Sequence, residues 1–527
     1  MSLEGFSPWP EEAAHRYRRE GWWRGERLGA LPRVWADRSG TAEALVDQER
    51  RLTYRELAEE VDALALGLVD AGVAPGEHLI VQLANGVDMV VCCFACYRLG
   101  VRPVLTLPAV AASQVEELAA VAGAAGWVGT GEDGAPVLER WGSHGGTARI
   151  PIRALADRGV GPRDQARLDA LAPDPGDVAL FLLSGGTTGL PKLIPRTHQD
   201  YALNVRQSAE LAGFDATTRF LVVLPVAHNF PYGSPGLLGA LHAGGAAVIA
   251  PSPNPAVALP LLGAEGVTHT AVVPAVAITW LAAVEETGGE VGSLRVLQVG
   301  GARLPAEVGR RVRPVLGCAL QQVFGMAEGL LNLTRLDEPE AWAVATQGRP
   351  MCPADEVAIV GPDGAQVAPG ETGELWARGP YTLRGYFRAP EHNAARFTPE
   401  GFYRTGDLVR VDPESGNLVV EGRSRDVVNR GGEKISAEEV ENFVLAHPAV
   451  RNVAALGAPH PVLGEQVLVA VVLGPSQELT LAQLARFLRD RGVARGLVPE
   501  RLAVVAELPL TAVGKVDKAA LRRRLGL

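Results

Sequence analysis

The stretch VALFLLSGGTTGLPK, residues 178–192, runs from six apolar residues into a turn of Ser184, Gly185, Gly186, Thr187, Thr188 and Gly189 that closes on Lys192. Glycines let backbone N–H groups converge on an anion, the Ser and Thr hydroxyls add donors, and Lys192 adds charge. The turn therefore reads as a phosphate-holding loop. It is not the P-loop of nucleotide hydrolases, because Pro191 precedes the lysine and Leu193 follows it. By itself such a segment is as often a plain turn between two strands.

Further polar clusters sit where other apolar runs end. RFLVVLP stops before His228, THTAVVP before Ala275, LRVLQV before Gly300 and ALQQV before Phe324, and most are followed by helix-like stretches. Strands alternating with helices imply an α/β fold with a parallel, doubly wound sheet. Ligands of such sheets bind beyond the carboxyl ends of the strands, so these clusters are expected to share one site.

At 527 residues the chain is long enough for several domain-sized units and a large core. Its 47% hydrophobic and 21% charged residues are ordinary for a soluble protein. MSLEGFSPWPEEAAHRYRREGWW at the start has charges throughout and no apolar core of a signal peptide. No apolar run approaches the roughly 20 residues of a membrane span. A cytoplasmic protein without a membrane partner is expected. The net charge of -10 and the lack of a basic patch argue against nucleic acid.

Five cysteines, Cys92, Cys93, Cys96, Cys318 and Cys352, do not make a disulfide framework. The Cys93/Cys96 pair lies inside the apolar run MVVCCFACY, which reads as buried helix packing. GSHGGTARIPIRALADRGVGPRDQARLDALAPDPGD, before Val178, reads as a long surface connection. From Arg423 onward 15 Lys and Arg face 11 Asp and Glu, a net of +4 that leaves -14 on the rest. A boundary at 423 is expected, separating residues 1–422 from residues 423–527.

SGGTTGLPK, QQVFGMAEG (321–329), YRTGD (403–407), GRSRDVVNRGGEKIS (422–436) and VGKVDK (513–518) together resemble the adenylate-forming superfamily, in order and spacing, over nearly the whole chain. HNFPYGSPG (228–236), LQVGGA (297–302) and the RGGEK form are most similar to stand-alone aryl acid AMP ligases of siderophore-type nonribosomal peptide pathways. The resemblance implies a large N-terminal domain of two doubly wound sheets plus a small β-barrel-like subdomain, followed by a small mobile α+β domain. It implies attack of an aryl carboxylate on the α-phosphorus of ATP, release of pyrophosphate with Mg²⁺, and transfer of the aryl group to a thiol.

By the same resemblance Lys515 bridges the attacking carboxylate and the α-phosphate, and His228 lies on the carboxylate side. Asp407, at the end of the strand-like FYRTGD, accepts both ribose hydroxyls, with Arg423 beside it. Glu328 is the Mg²⁺ ligand. Gly300, Gly301 and Ala302 form a wall shared by adenine and the aryl group, and Gln322, Val323, Phe324, Gly325 and Met326 complete the adenine side. Read without the resemblance, Lys515 is a surface lysine, and the acids are turn or cap residues.

Asn229 is implied to bond the ortho hydroxyl and carboxylate of a 2-hydroxybenzoate, an amide being both donor and acceptor. Phe230, Ser234, Ala302, Val323 and Leu331 complete the aryl pocket. Phe230 and Leu331 stand where relatives using 2,3-dihydroxybenzoate tend to carry tyrosine and valine, which favours salicylate or an alkyl salicylate. Ser234 favours the alternative, since its hydroxyl could serve a 3-hydroxyl group. The hinge is expected at Arg425, with Lys434 on the face used for thioester formation and Gly431 and Gly432 shaping a pantetheine tunnel. The chain ends at RRRLGL without a carrier module, so an aryl carrier protein bearing phosphopantetheine is the expected partner in trans. Free coenzyme A is the alternative acceptor, and a homodimer is the candidate assembly.

Overall fold

A computed structural model describes residues 3–141, 149–184, 191–288, 291–423, 427–430, 433–511 and 515–527, with Lys434 described in its backbone alone. The apolar runs ending before His228, Ala275, Gly300 and Phe324 form the strands Arg219–Val222, His269–Val272, Val296–Gly300 and Ala319–Met326. They lie in a nine-stranded sheet with Ala246–Ile249 and Glu43–Val46, all parallel to their neighbours. Arg51–Thr53 closes one edge antiparallel, and Gly329–Leu333 with Arg349–Pro350 the other.

The strand Val178–Leu183 belongs to a second, seven-stranded sheet. There it lies parallel to Arg102–Leu105, which pairs with His78–Gln82, itself paired on its other side with Gly126–Thr130. The phosphate-loop sequence connects this strand to Leu193–Thr197 as an antiparallel hairpin. One apolar core draws side chains from both sheets, including Leu79, Leu180, Phe220 and Leu297, and from helices Tyr54–Asp70, Val87–Leu99 and His198–Leu211. Cys92, Cys93 and Cys96 are buried in the second of these helices. The third has a polar sequence, HQDYALNVRQSAEL, yet most of it is buried, because its polar groups find partners inside the protein.

The segment before Val178 is not a bare connection over its described part. Arg149–Pro151 is a strand, and Ile152–Ala156 and Pro162–Ala170 are helices that bury Ile152 and Leu168. Pro162 opens its helix where the missing N–H costs nothing, and Gly161 N–H donates to Asp164 at 3.0 Å. Gly67 of helix Tyr54–Asp70 makes the close approach possible, since a Cβ there would lie 2.2 Å from the Leu155 carbonyl oxygen.

A four-stranded antiparallel sheet follows, built from Glu356–Val360, Gly373–Arg378, Tyr403–Val411 and Leu418–Arg423. Asp407 lies within the third strand rather than at its end, paired in register with Arg423. From Val427 a further sheet of Val427–Arg430, Glu433–Ser436, Val450–His460, Gly464–Leu473 and Arg501–Val504 packs with helices Ala437–Leu445, Leu481–Asp490 and Lys518–Leu525. Its buried clusters are drawn from residues after 427. Arg451 of this body reaches Glu286 on helix Pro274–Thr287 at 3.1 Å, both side chains largely exposed. Among the described residues no helix is long and apolar enough to cross a membrane.

Candidate active site

The nine-stranded sheet sets the back wall. Strand Val296–Gly300 runs into Gly301; Gly300 is too crowded for a side chain, and the backbone at Gly301 disfavours one. A Cβ on Gly300 would lie 2.9 Å from the Phe230 ring and 2.8 Å from the Val323 carbonyl oxygen. At Gly301 the backbone has φ +84°, and a Cβ would meet Lys515 Cε at 3.0 Å. Lys515 therefore lies directly over Gly301, although 214 positions separate them in the chain. Thr511 N–H donates to the Lys515 carbonyl at 2.7 Å, and Lys515 N–H donates to Thr511 Oγ1 at 3.2 Å.

Lys515 also acts on His228. Burial, with the nearby ammonium as the smaller cause, pushes the imidazole down to about 3. His228 Nδ1 accepts the Phe230 backbone N–H at 3.4 Å, which leaves the proton of the neutral ring on Nε2. Acid favours unfolding through this group, since the unfolded chain takes up a proton below about 6.5 that the folded ring refuses. The expected result is that the ring nitrogens of His228 do not titrate between pH 5 and 8, as read by nitrogen NMR of histidine-labelled protein. A titration near 6.5 would contradict the buried placement.

Asn229 and Ser234, nearly buried, lie on and after the short helix Asn229–Gly233. Tyr201 O–H donates to Asn229 Oδ1 at 2.8 Å, Asn229 Nδ2 donates to Ser234 Oγ at 3.0 Å, and Asn204 Nδ2 donates to the same oxygen at 3.1 Å. Phe230, Val323 and Leu331 are buried apolar neighbours. The Leu331 N–H donates to the Tyr381 hydroxyl at 3.1 Å, and Tyr381 donates to Asp355 at 2.6 Å. Burial pushes the Asp355 carboxyl up to about 8. A Gly300→Ala substitution is expected to drive the Phe230 ring toward the pocket and lower kcat/KM for the aromatic acid by about 10- to 100-fold. The KM for ATP, measured in the same exchange assay, should rise less than that for the acid, because the added methyl meets Phe230 of the aryl pocket.

On the four-stranded sheet Arg423 Nε donates to Asp407 Oδ1 at 3.0 Å; Asp407 is almost buried and Arg423 half exposed. Glu328 follows the turn out of strand Ala319–Met326, which runs on through Phe324 and Gly325 before reversing into Gly329–Leu333. Tyr386 O–H donates to Glu328 Oε1 at 2.7 Å and so accepts from Tyr403 O–H at 2.8 Å. Among the described residues one oxygen of Glu328 is thereby engaged, and the other can take a ligand. That fits Mg²⁺, which takes one or two carboxylates and completes its shell with water and phosphate oxygens.

Gln322 is placed differently from a ligand contact. Its side chain is buried, with Oε1 accepting from Leu304 N–H at 3.2 Å and Nε2 donating to the Ala343 carbonyl at 2.7 Å. Ala302 is exposed, and Met326 is half-buried. Ser184 Oγ accepts the Lys192 N–H at 3.0 Å, and Ser184 N–H donates to the Lys192 carbonyl, also at 3.0 Å. Gly185, Gly186, Thr187, Thr188 and Gly189 lie outside the described residues, as do Arg425, Gly431 and Gly432. Lys434 lies on strand Glu433–Ser436, opposite Asn429. The sequence reading missed Tyr201, Asn204, Tyr381, Tyr386 and Tyr403 as supports. The one available signal was the number of polar residues in the helix that follows the hairpin.

AMP-binding enzymes match residues 32–387, and the C-terminal domain of AMP-binding enzymes matches residues 439–515. The chain belongs to the AMP-binding enzyme family. Among relatives of this family member, a Streptomyces sp. protein named salicylyl-CoA synthase / salicylate adenylyltransferase is 52% identical over 99% of this chain and 98% of its own. The 2,3-dihydroxybenzoate-AMP ligase of Bacillus subtilis is 45% identical over 99% and 98%. The salicyl-AMP ligase / salicyl-S-ArCP synthetase of Mycobacterium tuberculosis is 45% identical over 100% and 95%.

Proposed function

We propose that this ATP-dependent, AMP-forming aryl acid ligase activates salicylate or a ring-substituted salicylate and passes the aryl group to the phosphopantetheine thiol of an aryl carrier protein. The observation that carries the reading is the placement of Lys515 over Gly301, beside buried His228. The wall next to it combines Asn229 and Ser234 with apolar Phe230, Val323 and Leu331. The carboxylate oxygen attacks the α-phosphorus, the bond to pyrophosphate breaks, and Lys515 compensates the charge that develops between them. Asp407 and Arg423 hold the ribose. Glu328 holds Mg²⁺, which neutralises phosphate charge when bound. The phosphate loop of Ser184, Gly185, Gly186, Thr187, Thr188, Gly189 and Lys192 cradles the triphosphate.

In the second half-reaction the thiolate attacks the acyl carbon and AMP leaves. Residues 423–527, pivoting at Arg425, exchange Lys515 for the face bearing Lys434. The Mycobacterium relative's name supports a carrier as acceptor, whereas the Streptomyces relative's name favours a second reading, free coenzyme A. The Bacillus relative and the Ser234 hydroxyl support 2,3-dihydroxybenzoate as the alternative acid.

The deciding experiment is ATP–pyrophosphate exchange over benzoate, salicylate, 6-methylsalicylate, 2,3-dihydroxybenzoate and aliphatic acids. Thioester formation is then compared on carrier protein and on coenzyme A. Salicylates should lead. Leadership by 2,3-dihydroxybenzoate would overturn the pocket argument, exchange with no aryl acid would overturn the reaction class, and faster loading of coenzyme A would overturn the acceptor.

A further inference from the structure

Behind the aryl pocket lies a chain of buried polar groups that the proposed chemistry does not itself use. Asp200 accepts from Thr197 N–H and Oγ1 at 2.5 and 2.8 Å, and its other oxygen accepts from Arg196 Nε at 2.7 Å. Arg196, fully buried, lies with its guanidinium 4.9 Å from the centroid of the Tyr201 ring and donates to the Ala327 carbonyl at 3.1 Å. Tyr201, also fully buried, donates to Asn229 Oδ1. Asn204 donates to the Gly233 carbonyl and to Ser234 Oγ. All of these side chains come from the hairpin strand and helix between Leu193 and Leu211, which supply none of the pocket residues named above.

The direction of these bonds matters. A cation over a phenol ring draws electron density from it, making the hydroxyl a stronger donor and a weaker acceptor. Burial keeps the Tyr201 proton in place, since it pushes the phenol well above its usual range. Asn229 therefore offers its oxygen to Tyr201, and its Nδ2, with one hydrogen given to Ser234, has one N–H left.

We propose that Tyr201 is a positioning residue that fixes the Asn229 amide so that the pocket presents an N–H donor to the ortho position of the ring. The proposal rests on the reading of Asn229 as the ortho-group contact. It restricts the ortho substituent to an acceptor. A salicylate phenol gives its proton to its own carboxylate, leaving the phenolic oxygen to accept. In 2-aminobenzoate one N–H makes that internal bond and the second points outward, while the nitrogen lone pair is delocalised into the ring. Its N–H would then face the Asn229 N–H, donor against donor.

The test is pyrophosphate exchange with salicylate, 2-aminobenzoate and benzoate for wild type, Tyr201→Phe and Asn229→Asp. Wild type should favour salicylate over 2-aminobenzoate by about 100-fold or more, as when a polar site meets the wrong partner. Without the Tyr201 hydroxyl the amide can turn over. Its salicylate-to-benzoate ratio in kcat/KM should fall about tenfold, mainly through KM, and 2-aminobenzoate should gain. Asn229→Asp, which keeps the shape and removes the donor, should reverse the preference toward 2-aminobenzoate.

Equal losses on salicylate and benzoate in Tyr201→Phe would mean general packing and overturn the proposal. So would salicylate preference retained in Asn229→Asp, which decides the matter if the first variant does not fold. A wild type inactive with every ortho-hydroxylated acid would instead overturn the substrate reading on which the proposal stands.

Discussion

Replacing Lys515 by alanine lowers aryl-acid-dependent pyrophosphate exchange about 1000-fold, the scale for losing one preorganised charge at a developing anion. The side chain passes over Gly301 beside His228, so its ammonium sits at the strand end where carboxylate and α-phosphate are proposed to meet. The loss should fall on kcat more than on the KM of either substrate, because the charge is needed most in the transition state. Thioester formation from preformed aryl adenylate should survive, since Lys515 is proposed to leave the site for that step. If exchange stays within tenfold of wild type while ATP binding is intact, Lys515 is not the bridging cation.

The second large effect is expected at Asp407. Asp407→Ala should raise the KM for ATP about 100-fold, corresponding to the loss of two charge-assisted bonds to ribose worth about 1.5 kcal/mol each. Arg423 is half exposed and within reach of water, so the fold should persist after the Asp407 substitution. The KM for the aromatic acid should stay nearly constant, because Asp407 stands on the four-stranded sheet and the aryl pocket on the nine-stranded one. A matching rise in both KM values would point to general disorder of the site and remove Asp407 from the ribose role.

Much of this architecture was legible because strand and helix signals are local. The runs ending before His228, Ala275, Gly300 and Phe324 became neighbouring strands of one parallel sheet. Partner choice is not local, and it was not legible. VALFLL looks like the other runs but pairs in the seven-stranded sheet, so the expected single crevice is bordered by two sheets.

Helices Ile152–Ala156 and Pro162–Ala170 escaped notice because each buries one large apolar residue, too little to show a period against Gly, Pro and Asp. The helix from His198 was hidden for the opposite reason. Its polar residues suggest a solvated face, and only the fold supplies Asn229 and Ser234 as their partners. Motifs therefore carry the groups proposed to face the ligands, while the groups holding them in place lie in sequence that carries no motif.

Lys515 is carried by a body with its own buried clusters, and one of that body's contacts with the large domain is the exposed Arg451–Glu286 pair. Such a pair is worth less than about 1 kcal/mol and is screened by salt. On the role proposed for Lys515, turnover is the intrinsic rate multiplied by the fraction of molecules in which the lysine is delivered. Ionic strength, crowding by a partner, or a surface substitution far from both substrates would then set the speed by shifting that fraction, with every atom of the pocket unchanged.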